Sequence, residues 1–261
     1  MQADLKQKIS IYSKPAVVRV VAGCYGTYSY SKNEFSANEI SLTVGALGSG
    51  YFVDSNGSIV TSSHMLVAAE ESGCKEQLFR RLVGVVTGQG NFDKISEEVK
   101  SSLRQHSQIK GDISYLNRVV LPTGASLPFE IKQSGSLVGG KPGDVAVIKI
   151  DVSNAPTVQL EESGKLAPQA SMVILGYPLD QSVKSLSSSL SEDLSSLSFL
   201  KEVALGKSLG AVTLLDGWAV KSTPNSDSNS ESNLAVLQFN EVLPLEMTGS
   251  PVLNDKGEVL G

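Results

Sequence analysis

The sequence predicts an all-β protein with helical insertions, and three observations carry that expectation. Apolar residues gather in short runs rich in Val and Ile, turn-forming clusters of Gly, Pro, Asn, Asp and Ser separate them, and only two longer stretches break the pattern. At 261 residues the chain has room for two modest cores or one large one.

Taken in order, Ala16–Ala22 is the first strand: Pro15 precedes it and β-branched residues dominate it. Residues 48–61 read as a hairpin. Its arms, Tyr51–Val53 and Ser58–Thr61, flank Asp54-Ser-Asn-Gly57, whose Asn-Gly pair favours positive φ. Between residues 75 and 110, Ile95, Val99 and Leu103 recur at four-residue spacing among charged neighbours, which predicts an amphipathic helix. Residues 119–130 form a second hairpin, and residues 145–150, 171–175, 209–215 and 234–239 are further strands. Leu186, Leu190, Leu194, Leu197 and Leu200 fall on one face of a helix over 182–203, for which serine-rich disorder is the alternative. Residues 222–233 carry almost nothing apolar and read as a mobile hairpin loop. A polar connector with Pro156 and Pro168 divides the chain into residues 1–155 and 156–261.

Composition narrows the function. A net charge of −5 argues against a broad phosphate-binding surface, so no nucleic-acid partner is expected. No window is long and apolar enough for a membrane span. The start lacks the build of a signal peptide, which predicts a cytoplasmic protein; if Met1 is not the native start, an extracytoplasmic one is open. Cys24 and Cys74 are the only cysteines; they could close one disulfide, and two reduced, buried thiols are the expectation. His64 and His106 lie in unrelated contexts without a cysteine pair, so no metal and no cofactor is expected.

Three separated segments carry chemistry. A single histidine, His64, follows the strand Ile59–Thr61; Asp144 opens the strand Val145–Ile150; Thr248 lies in the glycine turn Glu246-Met-Thr-Gly-Ser-Pro251. A hydroxyl is a weak nucleophile until a neighbouring imidazole takes its proton, and the imidazole needs a carboxylate to fix its tautomer. The order His, Asp, hydroxyl suits that chemistry. Ser250 is the other hydroxyl in the loop.

These segments resemble the trypsin-like serine proteases, in particular bacterial peptidases of the HtrA (Deg) type. The likeness rests on Gly48-Ser-Gly-Tyr-Phe…Asn56-Gly…Ile59-Val-Thr-Ser-Ser-His64, on Leu121-Pro-Thr-Gly124 with Asp144-Val-Ala-Val-Ile-Lys-Ile150, and on Val173-Ile-Leu-Gly-Tyr-Pro178. It implies two six-stranded antiparallel β-barrels, a chymotrypsin-like double barrel, with the active site between them. His64 would be the base, Asp144 its orienter and Thr248 the occupant of the nucleophile position. The backbone N–H groups of Glu246 and Thr248 would form the oxyanion hole. A peptide or unfolded protein would be the substrate. Family members continue beyond the strand that ends at Gly261, so the second barrel is expected to be incomplete.

Two departures from the family pattern set up an alternative. Thr248 replaces the usual serine, and its methyl restricts χ1; an ångström of misplacement can cost about a hundredfold in rate. Glu246 replaces a glycine and brings a carboxylate near the developing oxyanion, where one lost donor costs about 2.7–4 kcal/mol. The alternative is therefore a pseudoprotease that binds peptides or regulates. His64 and Asp144 lie 80 residues apart, and the excess predicts a helical insertion over about 70–117 that could receive a protein partner. A scaffold built around that insertion is the third reading. Val242, ahead of the loop, points to an apolar specificity pocket.

Overall fold

Apolar faces of short strands must be covered on at least one side, and among the described residues two sheets and four helices do so. The computed structural model describes residues 2–33, 36–135, 143–161, 171–178, 195–206, 212–224, 235–239, 243–244 and 247–260. The strands are β1 (Val17–Asn33), β2 (Ser36–Phe52), β3 (Ser58–Thr61), β4 (Ser107–Tyr115), β5 (Arg118–Val120), β6 (Ser126–Pro128), β7 (Glu130–Ser134) and β8 (Ala146–Lys149). They continue with β9 (Gln159–Leu160), β10 (Ser171–Gly176), β11 (Thr213–Pro224), β12 (Ala235–Phe239), β13 (Val252–Leu253) and β14 (Glu258–Val259). The helices are α1 (Gln2–Ser13), α2 (Glu71–Thr87), α3 (Glu97–Gln105) and α4 (Ser195–Ala204).

The first sheet runs in the order β6-β5-β1-β2-β3-β8-β7, with β4 also on β1, and all its pairings are antiparallel. Val18, Val20, Phe52, Ile59, Val119, Ile148 and Ile150 fill its interior. The second sheet, β12-β11-β10-β13-β14-β9, is antiparallel except for a short parallel pairing of β14 with β9. Ile9 of α1, Val17 and Tyr51 of the first sheet, and Val173, Leu175 and Val259 of the second share one core. Tyr177 fastens the same seam: its hydroxyl donates to the Val17 carbonyl, and the Arg19 guanidinium stacks 5.2 Å above its ring. Burial pushes the Tyr177 phenol up to about 12, partly offset by Arg19. It therefore stays a neutral donor.

The first strand is much longer than Ala16–Ala22 predicts. β1 and β2 pair almost without interruption from Val17↔Tyr51 to Asn33↔Ser36, so one ribbon serves two cores. Its near half lines the first sheet. Its far half, carrying Cys24, Tyr28 and Leu42, pairs with β4 and is roofed by α2 through Leu78, Phe79, Leu82 and Val83. The stretch predicted as one helix over 75–110 is thus α2, a short turn, α3 and the start of β4. Ile95 is buried but precedes α3, and Val99 is exposed. Lys100 is the buried residue of α3 instead: its ammonium sits 4.5 Å from the Phe92 ring and pairs with Glu97 at 2.7 Å. The alkyl stem accepts burial while the charge keeps its partners.

The expectation of two reduced thiols is overturned. Cys24 on the ribbon and Cys74 in the first turn of α2 form a disulfide, both fully buried. Sequence separation of 50 residues hides the pairing; the fold brings them together because α2 lies across the ribbon. Of the helix predicted over 182–203, residues 195–203 lie within α4, which lays Leu200 and Val203 on Val21 and Val120; Leu186, Leu190 and Leu194 lie outside the described residues. β11 extends to Pro224, and residues 225–233 of the predicted loop also lie outside them.

Candidate active site

Register places the acid beside the histidine. β3 and β8 pair Thr61 with Ala146, so continuing the ladder sets Asp144 against Ser63, and the Ser63 N–H donates to the Asp144 carbonyl at 3.4 Å. After β3 the chain tightens into a 3₁₀ turn over Ser63–Ala69, which turns His64 out of the sheet while Met65 and Leu66 go into the core. The imidazole is left about half exposed, at 46%, and the carboxylate at 40%.

Asp144 is held on both oxygens. Oδ1 accepts from the His64 backbone N–H and the Ser63 hydroxyl, each at 2.8 Å. Oδ2 accepts from the Ser62 hydroxyl and from His64 Nδ1, each at 2.6 Å. Burial works to raise the Asp144 pKa, but the bonds from Ser62, His64 and Ser63 together outweigh it and bring the group down to about 2. It is an anion at neutral pH.

The hydroxyl loop docks on the other side of the same strand end. Ser49 N–H donates to the Thr248 carbonyl at 2.8 Å, and the turn is closed by Ser250 N–H to the Met247 carbonyl at 3.0 Å. Gly249 adopts φ +81, and a Cβ there would lie 2.3 Å from the Ser49 carbonyl, 2.6 Å from Thr61 Oγ1 and 3.1 Å from the Ser62 nitrogen. Only glycine fits such a contact. Gly48 makes the matching approach from β2, where a Cβ would meet Met65 at 2.2 Å and the Thr248 carbonyl at 2.8 Å. Thr61 Oγ1 donates to the Ser49 carbonyl at 2.7 Å and completes the knot.

The structure therefore brings His64 and Asp144 into direct contact and sets the Thr248–Gly249 turn against Ser62, two residues from His64. Among the described residues the imidazole's hydrogen bonds all run through Nδ1 to Asp144 and Ser62, and none joins it to the Thr248 hydroxyl. Such bonds often tighten only when substrate is bound. Glu246, the other expected oxyanion donor, and Val242 lie outside the described residues. The Ser250 hydroxyl is buried beside Gly176 and, among the described residues, has no hydrogen-bond partner. Ser62 and Ser63 were not legible as site residues, since nothing but their position beside His64 distinguishes them from the chain's many other serines.

Among the described residues no three His, Cys, Asp or Glu side chains converge as metal ligands, and no helix is long and apolar enough to cross a membrane. A cavity of about 690 Å³ lies on the insertion, lined in part by Val44, Arg80, Arg81 and Phe92, and shares no lining residue with the site.

Comparison with protein families gives one match. The family model described as the trypsin-like peptidase domain matches residues 48–261, from the Gly48 approach to the last strand. None of the curated proteins matches the chain.

Proposed function

Because this chain belongs to the trypsin-like peptidase family, we propose that it is a serine-type endopeptidase of HtrA-like kind with threonine as nucleophile. The observation that carries the reading is the 2.6 Å contact of His64 Nδ1 with an ionised Asp144. A carboxylate accepts only, so Nδ1 holds the proton and Nε2 presents its lone pair. In the proposed reaction Nε2 takes the Thr248 Oγ1 proton as that oxygen bonds to the scissile carbonyl carbon. The oxyanion is met by the N–H groups of Thr248 and Glu246. His64 then protonates the leaving amine, and water, deprotonated in turn by His64, releases the acyl group from Thr248. Substrates are peptides or unfolded proteins, and the reaction needs no cofactor.

The cleft would lie between an N-terminal lobe over 1–155, bearing His64 and Asp144, and a C-terminal lobe over 156–261, bearing Thr248. The cavity beside Arg80 and Arg81 gives a protein partner a concave place on the insertion. One observation favours the alternative of a pseudoprotease that binds peptides without cleaving them: the Thr248 hydroxyl makes no bond to the imidazole.

Intact-mass detection of fluorophosphonate labelling separates the two. A single adduct, lost in Thr248→Ala and in His64→Ala, is the expected result. No adduct on the folded protein, with labelling restored by Thr248→Ser, would sink the threonine nucleophile and leave the pseudoprotease standing.

A further inference from the structure

Ser62 Oγ, His64 Nδ1 and Asp144 Oδ2 form a closed triangle with edges of 2.6, 2.6 and 2.7 Å. Three such short edges share only two protons, one from the hydroxyl and one from the ring. The ionised carboxylate can only accept, so Ser62 donates to Oδ2. Its oxygen then meets Nδ1 with a lone pair, which requires the ring proton to be on Nδ1, shared between Oδ2 and Oγ as a bifurcated bond. With the proton on Nε2 instead, the bare Nδ1 would face a carboxylate oxygen at 2.6 Å with nothing between them. Ser62 thus makes the wrong tautomer costly from a second direction.

We propose that Ser62 is a positioning residue of this site: its hydroxyl, donating to Asp144 and accepting from His64, locks the imidazole in the Nδ1–H tautomer with Nε2 free. This rests on the reading of His64 as the base. Ser62 is suited to the role by its own setting. It is only 6% exposed, so water does not compete well for its hydroxyl. Its backbone is extended, with φ −87 and ψ 135, directly beyond the β3–β8 ladder that also carries the Asp144 segment. Hydroxyl, ring and carboxylate therefore hang from the same pair of strands. The groups facing the carboxylate are Ser62, Ser63 and His64, and no lysine or arginine among the described residues pairs with it. Removal of one hydroxyl is not masked by a nearby cation.

The test is NMR titration of the Asp144 carboxyl together with the ring-nitrogen shifts of His64, in the wild type, Ser62→Ala and Ser62→Thr. Ser62→Ala is expected to raise the carboxyl midpoint by about one pH unit and to mix the two ring tautomers. Ser62→Thr, which keeps the oxygen, is expected to restore both. Where peptide turnover is measurable, kcat should fall about tenfold in Ser62→Ala with KM unchanged. An unchanged midpoint and tautomer in folded Ser62→Ala would overturn the proposal. So would an equal displacement in Ser62→Thr, which would assign the effect to packing. Both NMR readouts are equilibrium properties, so a lack of turnover in the wild type would strike the endopeptidase reading alone.

Discussion

Asp144 collects four donors while remaining 40% exposed, a combination that makes its charge cheap to keep and its contribution to stability modest. The sign follows from its lowered pKa, which moves from 3.8 to about 2 on folding. Stability from the carboxylate is present above the ordinary value and is lost as pH falls through about 2. Urea midpoints of wild type and Asp144→Asn should therefore differ at about pH 6 and converge between about pH 4 and about pH 2. A constant gap over that range would mean that the carboxylate is not held as described. The contact of His64 with Asp144 could be anticipated because His64 follows one apolar strand and Asp144 precedes another. Ser62 was not, since a serine announces nothing until the atoms around it are known.

Among the secondary-structure elements, the loop that carries Thr248 is held by two glycines that let backbones meet, its own Gly249 and Gly48 of β2. Gly249→Ala combines a left-handed backbone, at about 1–3 kcal/mol, with a Cβ driven against the Ser49 carbonyl and Thr61. Gly88→Ala, at the end of α2, shares the left-handed φ of +69 but meets open space. Chemical denaturation should show the Gly249 variant to be clearly the less stable of the two; equal losses would show that the loop does not press on β2. Hairpin tips and strand starts could be read from turn residues, but the length of β1 could not. Beyond Ala22 the run Gly23-Cys-Tyr-Gly-Thr-Tyr-Ser-Tyr30 looks like a polar loop, although Tyr28 and Tyr30 sit on alternate positions of what proves to be a strand. β4 was hidden likewise, because its inward residues Ile109 and Ile113 adjoin a helical pattern.

Over the whole molecule, the β1–β2 ribbon makes the insertion inseparable from the sheet. A helical insertion over about 70–117 was visible as an excess of chain between His64 and Asp144. That it needs the far ends of β1 and β2 as its floor was not, since the floor and the roof are distant in sequence. Excising α2, α3 and β4 would bare Tyr28, Leu42 and Cys24 on a long ribbon, a surface of the kind that pairs with other chains. A scaffold built on the insertion alone would have to carry that ribbon with it.

The buried bond between Cys24 and Cys74 bears on the redox conditions under which the fold reaches its full stability. Cross-linking residues 50 apart stabilises by about 4 kcal/mol in the chain-entropy account, a large share of a domain's margin. Compartments that keep thiols reduced deny a protein that share. We propose that this peptidase domain matures outside the reducing cytoplasm. Material folded under oxidising conditions should show no titratable thiol after denaturation, and Cys24→Ser with Cys74→Ser should lower the urea midpoint markedly. Two free thiols in the fully stable protein would overturn that proposal.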